Sequence, residues 1–284
     1  MKRVSGESAE SDVADDLDQS SPQGTKGRVQ SYLESFDELP ELPWNRNLGV
    51  VHIVLGLVTI FSSAIVGVSV GAAIAGSEAV EAYRSGDAPP GVIAVCALVV
   101  FQLSMFGWPF IVSAVWRGKG VVQDWGFKID RSDLSTGVAA ALVAIVIVPI
   151  VITITSAVVG LEDPSDARNT GFLREAEGSP WLIVLILGTV IGAPVVEELF
   201  YRGLVQRSLE RFGGRVVGVL GSTVLFAIPH LVGGGARPTI VLWVTIGAVG
   251  LVFGTLAAVT RRLGASIVAH MVFNSTTVAF VVFG

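Results

Sequence analysis

The sequence has few of the residues that cross-link or charge a soluble protein. Cys96 is its single cysteine, so no disulfide can form within the chain, and its place in an apolar run indicates a buried packing role. Charged residues make up only 15% of the 284 residues, and hydrophobic residues make up 51%. No basic stripe is interleaved with aromatic residues, so nucleic acid is not expected as a partner. With a mean hydropathy of +0.68, most of the chain is expected to lie in a lipid bilayer.

The apolar residues form uninterrupted runs that are long enough to cross a membrane as helices. Roughly 20 helical residues cover a hydrocarbon core of ~30 Å. The runs are continuous rather than alternating, which favours helices over the strands of a barrel. The prediction is an all-α fold, a polytopic transmembrane helix bundle of about seven spans. These are placed at about residues 48–76, 91–116, 135–159, 181–201, 215–232, 239–259 and 264–283.

The region before the first span differs in composition from the rest. Residues 1–46 are rich in Ser, Asp, Glu and Gly and bury too little apolar surface to order, so they are predicted to form a disordered acidic cytoplasmic tail. Residues 47–284 are assigned to a membrane domain, with the catalytic motifs within about residues 181–284.

Charge asymmetry between the loops predicts the orientation in the membrane. Lys and Arg concentrate in residues 117–134 and 202–215 and at Arg261–Arg262, whereas residues 77–90 and 160–180 are acid-rich. Lys and Arg resist translocation, so seven spans predict a multi-pass plasma-membrane protein with a cytoplasmic N-terminus and an exterior C-terminus. Tryptophans at the predicted span ends agree with an interfacial position: Trp44, Trp116, Trp125 and Trp181.

A few polar residues interrupt the spans. Each Asp, Lys or Arg in a membrane interior costs at least ~2.5 kcal/mol on insertion scales, so such residues require an explanation. They are Glu197, Glu198, Arg202, His230, His270, Asn274 and His52. His52 stands alone in the first span and is interpreted as a contact between helices. The other six fall in three spans, and as a set they indicate a functional site.

The two adjacent glutamates are expected to have different roles, because neighbouring helical residues point about 100° apart. Glu198 lies four residues before Arg202, in the favourable orientation for an ion pair within a helix. Glu197 has no obvious cation, so burial would disfavour its ionised form, as suits a general base near neutral pH.

The remaining polar groups come from two other spans. His270 and Asn274 are four residues apart and share a helix face, and His230 follows Pro229, which favours a break in the helix. Pro194 does the same one turn before Glu197. Imidazole and amide groups can bind a metal, position a water, or donate hydrogen bonds to an oxyanion.

Taken together, these segments resemble the three motifs of the CPBP family, the CAAX prenyl protease and bacteriocin-processing intramembrane endopeptidases. EExxxR corresponds to Glu197, Glu198 and Arg202, FxxxH to Phe226 and His230, and HxxxN to His270 and Asn274. The resemblance covers roughly residues 194–275. It implies a helical membrane fold with a cavity opening toward the cytoplasm, in which Glu197 activates water for attack on a peptide carbonyl. It also implies that His230, His270 and Asn274 arrange the water, a metal or the oxyanion, with Glu198 and Arg202 as support. The candidate catalytic residues are Glu197, Glu198, His230, His270 and Asn274, with Arg202 as a structural support.

Two questions stay open at the level of the sequence. A zinc hydrolase site has three protein ligands and a water, which His230, His270 and Glu197 could supply, but a metal-free scheme fits equally well. The depths in the membrane that the sequence predicts for the site residues also disagree. A helix beginning near Arg215 would place His230 roughly 22 Å deep, whereas Glu197 and His270 lie roughly 8 to 12 Å from their arginines at ~1.5 Å per residue. Either residues 203–212 dip into the bilayer or this helix starts above its surface.

Three functions are considered. The favoured hypothesis is an intramembrane endopeptidase whose partners are the lipid bilayer and a membrane-associated protein or peptide substrate. A transporter or channel could use buried Glu and His as an ion or proton path, but no internal duplication supports it. A catalytically inactive scaffold would retain the motifs for stability. The sequence does not predict the oligomeric state.

Overall fold

A computed structural model describes residues 46–84, 91–167, 170–230 and 235–283. Within these ranges every regular element is helical, which confirms the predicted fold class. The tail predicted for residues 1–46 lies outside the described residues, except that Arg46 begins the first helix.

The chain forms eleven α-helices within the described ranges, joined at several points by π-helical or 3₁₀ segments. The α-helices are α1 (Arg46–Ala75), α2 (Ser77–Arg84), α3 (Gly91–Val115), α4 (Val121–Trp125), α5 (Ser132–Val159), α6 (Gly171–Glu175), α7 (Trp181–Leu187), α8 (Ala193–Glu197), α9 (Arg207–Ala227), α10 (Ala236–Thr260) and α11 (Gly264–Phe283). The π-helical segments are Gly188–Gly192 and Glu198–Gln206, and the 3₁₀ turns are Pro164–Ala167 and Ile228–His230.

Six helical stretches of the described residues are long and apolar enough to cross a membrane. Five agree with predicted spans, and the sixth, Trp181–His230, is 50 residues long and contains two of them. At ~1.5 Å per residue a straight helix of that length would far exceed a ~30 Å hydrocarbon core. The stretch bends at Gly214, whose φ of 86° and ψ of 174° are not helical. Two limbs therefore take the place of the predicted fourth and fifth spans.

The bend at Gly214 is a complete reversal. The hydroxyl of Ser222 donates to Oε1 of Gln206 at 3.2 Å, so residues on the two sides of the bend lie level with each other. A Cβ added at Gly218 would approach the carbonyl oxygen of Gln206 to 2.9 Å, which shows how closely the limbs pack. We call residues 198–227 the reversing hairpin.

This hairpin resolves the disagreement in depth. The guanidinium of Arg207 donates to the carbonyl of Arg261 at 2.5 Å, so the turn between the last two spans is level with Arg207 rather than with Arg215. The tip of the hairpin extends one to two turns beyond that level. Of the two explanations offered by the sequence, the structure agrees with a returning helix that starts above the level of the other turns.

Close contacts at glycine hold the first helices together. A Cβ at Gly67 would lie 2.7 Å from the Cα of Ala97, and one at Gly71 would lie 2.6 Å from the Cα of Ile93. The small-residue spacing in α1 therefore serves packing against α3 within the chain. On the other side of the bundle, α5 packs against both α10 and α11.

Two aromatic clusters refine the sequence interpretation. His52 is buried, its ring lies 4.6 Å from that of Trp116, and Nε1 of Trp108 donates to its carbonyl at 3.0 Å, in agreement with a packing role. Trp125 does not sit at a lipid interface as predicted. It is buried in the core, where Nε1 donates to the carbonyl of Pro109 at 3.1 Å, because α4 folds inward beneath the hairpin.

Candidate active site

The two glutamates lie where one helix changes its winding. Glu197 ends the short α8, and Glu198 begins the π-helical segment that continues to Gln206. A second π-helical segment, Gly188–Gly192, precedes α8. Such segments are rare and frequently occur at functional sites. They wind the helix differently from a regular α-helix, so the direction of each carboxylate depends on them.

The environments of the glutamates differ as the sequence predicted. The side chain of Glu198 is completely buried, and its Oε2 lies 3.4 Å from Nε of the equally buried Arg202. Glu197 retains 15% side-chain exposure and lines a cavity. The ion pair expected from the four-residue spacing is therefore present, and only Glu197 faces open space.

Arg202 connects three parts of the bundle. Besides Glu198, its guanidinium contacts the carbonyl of Gly250 through Nη2 at 3.2 Å and lies 4.2 Å above the centre of the Phe226 ring. A cation over an aromatic face in a desolvated site contributes up to about 2 kcal/mol. Arg202 thus holds Glu198 in place relative to α9 and α10.

A cavity of about 240 Å³ lies beside Glu197. Its walls are mostly apolar, and its strongly polar groups are the side chains of Glu197, His230, His270 and Asn274. These come from three separate stretches of chain, which the fold brings to one place. Glu198 and Arg202 do not line the cavity and are packed behind it.

The hydrogen bonds of the two histidines define the roles of their ring nitrogens. Nδ1 of His230 contacts the carbonyl oxygen of Phe226 at 3.0 Å, and because a carbonyl only accepts, Nδ1 carries the proton. Nδ1 of His270 donates to Oε1 of Glu198 at 3.1 Å, while Nε2 lies 3.7 Å from Oε2 of Glu197. His270 therefore lies between the two carboxylates.

Asn274 is held by a backbone group of a π-helical segment. Its Nδ2 donates to the carbonyl of Thr189 at 2.9 Å, which leaves the second N–H of the amide and its oxygen available to a ligand. Gln102 in α3 donates to the neighbouring carbonyl of Gly188 at 2.9 Å. The first π-helical segment is thus fixed on one side by Gln102 and supports Asn274 on the other.

Thr189 and Gln102 were not among the residues singled out from the sequence. Gln102 gave a signal, since an amide in the apolar run of residues 91–116 requires a hydrogen-bond partner. Thr189 acts through its backbone carbonyl, and no side-chain pattern could have identified it.

Three side chains were expected as candidate metal ligands: His230, His270 and Glu197. Among the residues that the structure describes, no three His, Cys, Asp or Glu side chains converge to hold an ion. His270 already has both ring nitrogens close to carboxylates, and His230 offers only Nε2.

Fold and site define a class of protein, a polytopic helical membrane protein with an acid, two imidazoles and an amide around a largely apolar cavity. Residues 179–276 match the family model described as type II CAAX prenyl endopeptidase Rce1-like. This confirms the family resemblance for the segment that carries all three motifs, and it supports peptidase activity. No curated protein and no solved structure matches the chain.

Proposed function

We propose that this protein is an intramembrane endopeptidase that hydrolyses a peptide bond of a membrane-associated protein or peptide. The observation that carries the proposal is the convergence of Glu197, His230, His270 and Asn274 on one cavity. An apolar pocket with a few convergent polar groups is the usual form of a substrate site. The family match supports the same reaction class.

Glu197 is the general base of the proposed reaction, since it is the carboxylate that faces the cavity. It takes a proton from a water molecule as the water oxygen bonds to the carbonyl carbon of the substrate. The resulting tetrahedral oxyanion collapses, the carbon–nitrogen bond breaks, and Glu197 returns the proton to the leaving amine. General acid–base catalysis of this kind contributes about 10² to 10⁴-fold in rate.

The histidines and the amide position the water and the oxyanion. Because Nδ1 of His230 donates to the Phe226 carbonyl, its Nε2 is left as an acceptor that can hold the attacking water. The free N–H of Asn274 is a donor for the oxyanion. Nε2 of His270 lies 3.7 Å from Oε2 of Glu197, so the His270 ring borders the same part of the cavity as the general base.

Glu198 and Arg202 are positioning residues in this scheme. The buried carboxylate of Glu198 orients the ring of His270 through Nδ1, and Arg202 balances its charge. Sequence reasoning placed Glu198 among the catalytic residues, and we now expect it to act through His270 rather than on the substrate.

The experiment is a comparison of membrane-protein termini by mass spectrometry in cells that carry the wild-type chain or Glu197→Gln. Glutamine keeps the shape of the side chain but cannot accept the proton, so we expect cleavage-derived termini in the wild type to fall at least 100-fold in the variant. Glu162→Gln, at an exposed acid that does not line the cavity, is the matched control and should behave as wild type. Identical sets of termini in wild type and Glu197→Gln would overturn the proposal.

A further inference from the structure

The ends of the membrane helices gather on two opposite faces of the bundle. On one face the turns are joined, since the backbone N–H of Leu263 donates to Gly126 at 2.9 Å and Arg262 pairs with Asp133 at 2.9 Å. We call this the arginine face. It comprises residues 117–131, 207–215 and 261–263.

The other ends of the helices meet on the second face. The guanidinium of Arg237 donates to the carbonyl of Gly160 at 3.0 Å, which joins the end of α5 to the start of α10. Gly91 at the start of α3 lies against the ring of Trp181, which begins α7. We call this the opposite face, and it includes the segment between α5 and α7.

The site is closed toward the arginine face. Immediately after Glu198 the hairpin places Leu199, Phe200 and Tyr201 in the core, and each is at most 1% exposed. One turn further, the side chain of Gln206 donates to the carbonyl of Gly254 at 3.0 Å, and Trp125 packs against Gly203 from below. These packed side chains separate the cavity from the arginine face.

The cavity extends in the other direction. From Glu197 it follows the helix back toward α7 through Ala193 and Thr189. From His270 it follows α11 toward the opposite face through Asn274 and Thr277. Its lining also includes Thr170 and Phe172, which belong to the segment between α5 and α7.

Phe172 stands where this cavity meets the opposite face. Its ring is half-buried and packs against an apolar cluster that contains Leu185 and Val278. It belongs to the five-residue helix α6, which packs against α7 and α11.

We propose that substrate reaches the site from the opposite face, past Thr170 and Phe172, and that this face is non-cytoplasmic. The orientation follows from the lysines and arginines, which mark the arginine face as cytoplasmic. The proposal keeps the expected cytoplasmic N-terminus and replaces the expected opening toward the cytoplasm with an opening toward the exterior. This proposal rests on the proposed function. The substrate is then an extended segment of a membrane-associated chain at the exterior surface.

Cysteine accessibility tests the route independently of catalysis. In a Cys96→Ser background, Thr277→Cys places a thiol in the cavity one turn beyond Asn274, and a membrane-impermeant maleimide is added to intact or permeabilised cells. Glu162→Cys and Lys119→Cys, both at exposed positions, report the opposite face and the arginine face. We expect Glu162→Cys and Thr277→Cys to react in intact cells, and Lys119→Cys only after permeabilisation.

Other labelling patterns would overturn the inference. If Thr277→Cys reacts only under the conditions in which Lys119→Cys reacts, the cavity opens on the arginine face. If Lys119→Cys reacts in intact cells, the arginine face is exterior and the assigned orientation is wrong. If Thr277→Cys never reacts, the cavity is closed.

Phe172 provides a second measurement in the same experiment. Phe172→Ala should raise the labelling rate of Thr277→Cys several-fold and leave that of Glu162→Cys unchanged, whereas equal rates with Phe172 and alanine would exclude the passage beside it. All reactions are repeated with Glu197→Gln. Labelling of Thr277→Cys does not require catalysis, so it should persist with Glu197→Gln. The access route can therefore be established even if the protein is not a protease.

Discussion

Glu198 and Arg202 form an ion pair from which water is excluded, with both side chains completely buried. Such a pair stabilises the fold little relative to apolar residues, because both charges lose their hydration. Removing one partner is strongly destabilising, because the remaining charge is then buried without compensation. The pair is best explained by its contact with His270, whose ring it holds toward the cavity.

We predict that Arg202→Met destabilises the protein by about 3 to 5 kcal/mol, because Glu198 is left buried without its cation. The measurement is the thermal unfolding of the purified protein in detergent. The double variant Glu198→Gln/Arg202→Met should recover a large part of the loss, and Arg174→Met, at an exposed arginine, should change little. A double variant as unstable as Arg202→Met alone would contradict this account.

The reversing hairpin is the element that brings the motifs together. Its two limbs carry Glu198 and Phe226, and they approach closely because Gly218 has no side chain facing Gln206. Glu210 on the first limb also pairs with Arg261 at 2.8 Å, which fixes the hairpin to the turn between α10 and α11. Its packing therefore determines where His230 lies relative to Glu197.

We predict that Gly218→Ala lowers both stability and activity, because the new Cβ would lie 2.9 Å from a backbone oxygen that cannot move aside easily. Overpacking of this kind typically costs about 1 to 3 kcal/mol. Gly247→Ala is the matched control, since a Cβ there meets nothing within 4 Å and alanine is the better helix former. Unfolding temperature and peptide cleavage would be measured for both. Equal behaviour of the two variants would show that the limbs do not pack as described.

The sequence predicted which stretches are helical more completely than it predicted how they are wound. Apolar runs of about 20 residues identify spans directly, because the bilayer requires that length. The π-helical segments around Glu197 depend instead on contacts between distant residues, such as that of Gln102 with Gly188. In the same way, the charge pattern located the polar residues, but the division between cavity-facing Glu197 and buried Glu198 became definite only in the packed structure.

For the whole molecule, the reversal at Gly214 decides on which sides of the membrane the two ends of the chain lie. Counted by length and apolarity alone, the described residues contain six candidate stretches, and an even number of crossings places both termini on the same side. Counted as two limbs, Trp181–His230 crosses twice, and the termini lie on opposite sides. The sides on which the two termini lie therefore test the number of membrane crossings without an activity assay.

We therefore predict that a tag at the N-terminus is reached only in permeabilised cells, while a tag after Gly284 is reached in intact cells. The reason is that the hairpin brings His230 to the same depth as Glu198. The limb after Gly214 must therefore cross back through the membrane before α10 begins. Antibody binding to tagged full-length chains gives the measurement, with Lys119→Cys labelling as the reference for the arginine face. Both tags on one side would mean that the limb after Gly214 turns back within the bilayer. The cavity that His230 shares with Glu197 and His270 would then require a different path of the chain.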